Sequence, residues 1–277
     1  VAGAWWLSGP DVAALSEQNP RATAFIERYR AERRAAGEPA GVAWQPVPYE
    51  RISVHLKRAV VAAEDMEFFA HRGFSSSELK QALRTAVRRL DMPRGASTIT
   101  QQLAKNLWLS PTRDPFRKLK EALLTRRLER HLSKRRILEL YLNVVEFGRG
   151  VYGAEAAAQT YFGKSAEWLT EEEAAQLAAS LPRPSRWHPG VASEGYLRYA
   201  MEIRRRMDVA TFLWRAVGGA TPPESVRVAM PDLDSLLGAV RESVAAPESI
   251  PTDTVPPRSD SLRASLDRRA LRDDTIR

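Results

Sequence analysis

RISVHLKRAVVAAEDMEFFAHRG, residues 51–73, changes character near its middle. Up to Ala63 the apolar side chains Ile52, Leu56, Val60 and Ala63 recur at the spacing of one helix face, so the segment reads as a helix that carries Glu64 at its C-terminal end. Beyond it, Glu64, Asp65 and Glu67 stand beside Phe68 and Phe69, and His71-Arg72-Gly73 turns the chain. Adjacent carboxylates repel each other and add little to a core. At the end of an apolar helix and next to aromatic rings, Glu64 is placed to be partly desolvated, which raises a carboxyl pKa and suits acid–base work. A surface carboxylate at a helix end is the plainer reading of the same residue. Asp65, His71 and Gly73 read as braces of the turn.

The same periodicity runs outward from this stretch. Residues 37–49, GEPAGVAWQPVPY, form an extended connector before it. After it, Leu79, Ala82, Leu83, Ala86, Val87 and Leu90 make a long apolar stripe, with Lys80, Arg84, Arg88 and Arg89 on other faces. DMPRGAS breaks the pattern, TITQQLAKNLWL resumes it, SPTRDP breaks it again, and FRKLKEALLTRRLERHL is strongly helical. Ser133 caps KRRILELYLNVVEF, and FGRGVYG stops it. AEAAAQTYF ends at Gly163, Thr170 with Glu173 forms a capping box before AAQLAASL, and a last helix is predicted from Ser193 to Gly218. Strand signals are scarce, so the body is predicted to be mainly α. Leu107, Trp108 and Leu109 suit either a core or a lipid-facing edge.

The chain has 277 residues, with 42 Lys and Arg against 34 Asp and Glu, a net charge of +8. That excess favours anionic partners, whether nucleic acid, acidic lipid or a phosphorylated substrate. The absence of cysteine excludes disulfides and thiolate metal sites without fixing the compartment. VAGAWWL at the start is far shorter than the roughly 20 residues of a membrane span. Its paired tryptophans fit either the aqueous end of a membrane anchor or an ordinary apolar terminus.

Three further segments carry chemistry. In RGASTITQQLAKN, residues 94–106, Gly95 lets backbone approach a ligand and Ser97 or Thr98 can cap the helix that follows. Thr98, Gln102, Lys105 and Asn106 share one face of it, a strip suited to a sugar and a phosphate, although a solvated face has the same pattern. In RKLKE, residues 117–121, Arg117 and Lys118 are strong phosphate ligands. Glu121 pairs with either at helical spacing, which is also what a plain surface ion pair does. In KRRILELYLNVVEFG, Ile137, Leu140, Tyr141 and Val144 have core spacing, and Asn143 and Glu146 read most simply as structural.

Taken in order, EDMEFFAHRG, GASTITQQLAKN, RKLKE and KRRILELYLN closely resemble the sequential motifs of the family 51 glycosyltransferases, the peptidoglycan glycosyltransferases. The likeness spans about Ile52 to Pro189. With NVVEFGRGVYGAEAAAQTYFGK and no transpeptidase domain, the chain is most similar to the monofunctional members. The resemblance implies a mainly α fold, a lysozyme-like helical head with a small membrane-proximal jaw. The expected layout is an anchor remnant and linker at 1–19, a catalytic domain at 20–190, a C-terminal helix at 191–217 and a disordered tail at 218–277.

The resemblance also implies an activity: polymerisation of lipid II into β-1,4-linked glycan with inversion and release of undecaprenyl diphosphate. Glu64 would be the general base. Glu121 would assist the departing diphosphate, either through a divalent cation such as magnesium or manganese or by orienting basic side chains. Lys105, Arg117 and Lys118 would neutralise the diphosphate, and Thr98, Gln102 and Asn106 would hold sugars or phosphates. Expected partners are lipid II, the lipid-linked glycan chain, an anionic membrane surface and cell-wall synthesis or division proteins, but not nucleic acid. The expected place is the outer side of a bacterial cytoplasmic membrane. Two rivals stand beside this reading, a lytic transglycosylase or muramidase on a similar scaffold and a non-enzymatic basic membrane-binding protein. The basic segments favour synthesis, because a diphosphate leaving group needs cations more than an acid.

Overall fold

A computed structural model describes residues 10–74, 97–109, 117–191 and 193–218. All of these fall in the first of two units, Val1–Met230, and the second, Pro231–Arg277, lies outside them. The apolar stripe at 79–90, the breaks DMPRG and SPTRDP, the apolar terminus and the tail also lie outside the described residues.

The described body is mainly helical, as the periodicity predicts. Its helices are α1 (Ala24–Ala35), α2 (Val54–Glu64), α3 (Ile99–Trp108), α4 (Arg117–His131), α5 (Lys134–Val144), α6 (Ala154–Phe162), α7 (Glu171–Ser180), α8 (Glu194–Val209) and the single-turn α9 (Leu213–Ala216). Local chemistry sets many of the starts. Thr23, Ser53, Thr98, Ser133, Thr170 and Ser193 each cap a helix by accepting a backbone N–H on the side-chain oxygen, and Thr98 and Thr170 form full capping boxes with Gln101 and Glu173.

The helices pack as two groups. α2 lies along α7 and α8, which also pack on each other, while α3 packs on α4 and α5. One apolar core runs through both groups, from Leu56 and Val60 of α2 to Leu103 of α3, Leu138 of α5 and Leu177 of α7. Leu107 and Leu109 are buried in it and Trp108 packs against it, so these three residues serve the core. Arg58, 1% exposed, ties the first group together: it donates to Glu171 at 2.8 Å and to the Met207 carbonyl at 2.7 Å, and lies 4.1 Å over the Trp214 ring.

Two details depart from the sequence prediction. The glycine-rich stop after α5 is a small sheet of order β1-β3-β2, with β1 (Ala43–Trp44) parallel to β3 (Val151–Tyr152) and β2 (Glu146–Gly148) antiparallel to it. Strands of this length hold no alternation to read. The predicted last helix is also interrupted: α8 ends at Val209, where Ala210 takes φ −84° and ψ 56°, and α9 follows a turn.

Two anchors hold the connector and the N-terminal segment. Asn143, 1% exposed, accepts from the Val47 N–H at 2.9 Å and donates to the Val47 carbonyl at 2.8 Å, and its own carbonyl accepts from the Trp44 indole at 2.7 Å. Gly153, at φ +82°, passes so close that a Cβ there would stand 2.7 Å from the Asn143 carbonyl oxygen. Arg136 on α5 donates to the carbonyls of Leu15 (2.7 Å) and Gln18 (2.9 Å) and to the Asn19 side chain (3.0 Å).

Candidate active site

The site lies at the seam between the two helix groups, where the C-terminal end of α2 meets α3. Glu64 is the last residue of α2 and is partly exposed. Its Oε2 accepts from the Gln102 amide at 2.6 Å. Burial pushes the Glu64 carboxyl above the usual carboxylate range and adjacent Asp65 adds to this, while the Gln102 hydrogen bond and Lys105 pull the other way. Such a group can be ionised and still basic enough to take a proton near neutral pH.

Asp65 ends α2 in a different role. His71 Nε2 lies 3.0 Å from both Asp65 oxygens, and the Gly73 N–H lies 3.0 Å from His71 Nδ1. Because a backbone N–H can only donate, Nδ1 carries a lone pair and the proton sits on Nε2, donated to Asp65. Asp65 also accepts the Ile99 N–H at 3.1 Å, and the Thr98 hydroxyl donates to the Gly73 carbonyl at 2.8 Å. This network clamps the turn after α2 onto the first turn of α3. Gly73 has φ +89°, and a Cβ there would meet Thr125 Cγ2 at 2.8 Å.

A polar cleft of about 180 Å³ opens beside this junction, lined among the described residues by Ser97, Gln101, Gln102, Lys105, Arg117, Lys118 and Glu121. Glu121 is 3% exposed; Lys118 Nζ lies 2.5 Å from one of its oxygens and an Arg117 nitrogen 3.6 Å from the other. Burial lowers the Lys105 pKa, and Lys118 and Arg117 lower it further, whereas Glu121 and Glu64 oppose them. Lys105 therefore feels the charge of both glutamates.

Of the residues expected from the sequence, Gln102, Lys105, Arg117, Lys118 and Glu121 line this cleft and Glu64 reaches it through Gln102. Thr98, 2% exposed, and Asn106, 6% exposed, are not among the lining residues. The Thr98 hydroxyl is spent on the α3 cap and on Gly73. Two tyrosines escaped the sequence reading. Tyr141, at a core position of α5, donates its hydroxyl to Gln102 Oε1 at 2.9 Å. Tyr199 on α8 has its pKa raised to about 12, first by burial and then by the charge of Glu64. Only the unusual hydroxyl at an otherwise apolar position marks Tyr141 in the sequence.

A divalent cation held by the protein does not fit these donors. No group of three His, Asp or Glu side chains able to hold a metal occurs among the described residues, and the Glu121 oxygens already face Lys118 and Arg117.

A family model described as Transglycosylase matches residues 34–209. The protein named Biosynthetic peptidoglycan transglycosylase in Methylobacillus flagellatus is 44% identical over 206 residues, covering 74% of this chain and 86% of that one. Proteins of the same name in Dechloromonas aromatica (46% over 192 residues, 69% and 83% covered) and Aromatoleum aromaticum (46% over 211 residues, 75% and 86% covered) are similarly close.

Proposed function

Given that the chain belongs to the transglycosylase family and is a peptidoglycan glycosyltransferase acting outside the cytoplasm, we propose that it polymerises lipid II into glycan strands with Glu64 as the general base. The observation that carries this reading is a cleft lined by Glu121, Lys105, Arg117 and Lys118 whose Gln102 amide donates to Glu64 at 2.6 Å.

The chemistry follows from that arrangement. Glu64 takes the proton from the 4-hydroxyl of the acceptor sugar as that oxygen attacks the anomeric carbon of the lipid-linked donor. The bond to the diphosphate breaks on the opposite face, so configuration inverts. Arg117 offers a planar fork and Lys105 and Lys118 offer point charges to the diphosphate as negative charge collects on it. Glu121 orients these cations. Thr98 positions α3, and Asn106 shapes its buried side. A cleft rich in cations supports diphosphate departure better than the protonation of a glycosidic oxygen required of a lytic enzyme.

We further propose that the catalytic face works against an anionic bilayer. Among the described residues no helix is long and apolar enough to cross a membrane. Juxtamembrane cations contribute around 1 kcal/mol each at such a surface.

The test is polymerisation of labelled lipid II by the wild-type chain and by Glu64→Gln, with and without a chelator. The expected result is glycan polymer from wild type, unaffected by chelation, and a loss on the order of 10³-fold in the variant, with vesicle binding unchanged. Wild-type rates in the variant would remove Glu64 from its role. Release of muropeptides from glycan strands, with no strand growth from lipid II, would favour the lytic reading.

A further inference from the structure

We propose that Tyr141 is a positioning residue for this reaction: its buried hydroxyl locks the Gln102 amide so that the amide NH2 holds Glu64 ionised and aimed at the acceptor. The proposal rests on Glu64 being the base and adds a residue on a fourth helix, α5, to the machinery on α2, α3 and α4.

The geometry leaves the amide one orientation. Gln102 Nε2 faces two acceptors, Glu64 Oε2 at 2.6 Å and the Ser97 carbonyl at 3.3 Å. Gln102 Oε1 faces the Tyr141 hydroxyl at 2.9 Å. Turned over, the amide would set its oxygen against a carboxylate and a carbonyl, and its NH2 against a hydroxyl left to act as acceptor. The hydroxyl and the carboxylate thus fix the amide from both ends.

Packing alone does not call for a tyrosine here. Tyr141 is 0% exposed, on a helix whose Leu138, Leu140 and Leu142 are each also 0% exposed. A phenylalanine would fill the same space without the cost of burying a hydroxyl. Among the described residues, that hydroxyl is hydrogen-bonded to the amide that reaches Glu64.

The groups facing Glu64 among the described residues are Lys105 from α3, Tyr141 from α5, Tyr199 from α8 and adjacent Asp65. Asp65 is bound to His71 and the Ile99 N–H. That leaves Gln102 as the direct donor to the carboxylate and Lys105 as the nearby cation. A donor to a carboxylate favours its charged form. Freeing the amide weakens that donation, so the carboxyl pKa rises and the acidic limb of the rate profile moves to higher pH.

The experiment is a pH profile of kcat/KM on lipid II for wild type, Tyr141→Phe, Gln102→Ala and the double variant, with thermal unfolding of each. Tyr141→Phe is expected to move the acidic limb up by roughly one unit, a loss of about tenfold on that limb, with a much smaller loss on the plateau. Because Tyr141 acts through Gln102, adding Tyr141→Phe to Gln102→Ala should change nothing further. An unmoved acidic limb, or losses that multiply in the double variant, would overturn the proposal. If Tyr141→Phe fails to fold, 3-fluorotyrosine at position 141, a stronger donor of nearly the same size, replaces it and should move the limb to lower pH; no movement overturns the proposal. An inactive Glu64→Gln alongside an unmoved limb would reject Tyr141 and leave the base in place, whereas an active Glu64→Gln would reject the base itself.

Discussion

Glu64 and Asp65 share a peptide bond and face different surroundings. The first meets an amide and a cleft; the second meets an imidazole and a helix start. The adjacency of two acids in the sequence is thereby resolved: one is bound to an amide of the cleft and the other holds the turn. Lys105 makes a test possible at this scale. Burial first, then Lys118 and Arg117, depress its pKa, so its ammonium is lost at a lower pH than the usual 10.5 of a free lysine. Binding of a diphosphate by the free enzyme should weaken over that alkaline range. Lys105→Arg, which keeps its charge throughout, should move the alkaline limb of kcat/KM outward even where its maximum is lower. An unchanged alkaline limb would mean that Lys105 does not meet the diphosphate. Glu64, Lys105 and Glu121 drew their expected roles from the order of their motifs, since each alone reads as well as a surface carboxylate, a solvated face or an ion pair. Tyr141 was not, since a tyrosine at core spacing looks like packing until its hydroxyl is seen to have a partner.

Among the elements, α3 carries most of the site, and its start is fixed twice. Thr98 caps it in a reciprocal pair with Gln101, and Asp65 accepts the Ile99 N–H. Gln102 and Lys105 follow within two turns, so an error at the cap is carried directly into the cleft. Thr98→Ala should cost about 1 kcal/mol of stability as a lost cap, more if the Gly73 carbonyl is left without its donor. It should also lower polymerisation, and Thr98→Ser should restore most of both. Urea unfolding and the lipid II assay report the two effects; a variant with full stability and full activity would rule out the cap as a positioning device. The caps at Ser133 and Thr170 were readable from local spacing, because they depend on residues within one turn. The β1-β3-β2 sheet was not, because its register joins Ala43 to Val151 and nothing local announces that pairing.

At the scale of the molecule, one helix group lines the cleft, and the other brings Glu64 to its edge through Gln102. α2 brings Glu64 from the side packed on α7 and α8, whereas α3 and α4 bring the cations. The mainly α class and the described helices α2 to α8 were legible from periodicity and caps, whereas α1 was not. The meeting of α2 with α3 was not legible either, since it depends on contacts far apart in the chain. The net charge of +8 also acts at this scale. Association with a lipid-linked diphosphate on anionic vesicles should be steered by it and screened by salt. Raising ionic strength from low to physiological values is therefore expected to reduce kcat/KM several-fold while kcat changes little; a flat salt response would mean that the charge takes no part in capture.

Arg136 has a mechanical corollary. Its guanidinium grips the carbonyls of Leu15 and Gln18 from the same helix that presents Tyr141. Tension drawn along residues 10–19 is thus delivered to the outer surface of α5, not to the free ends of loops. A pull at that end reaches a rod whose far side touches Gln102, two hydrogen bonds from Glu64.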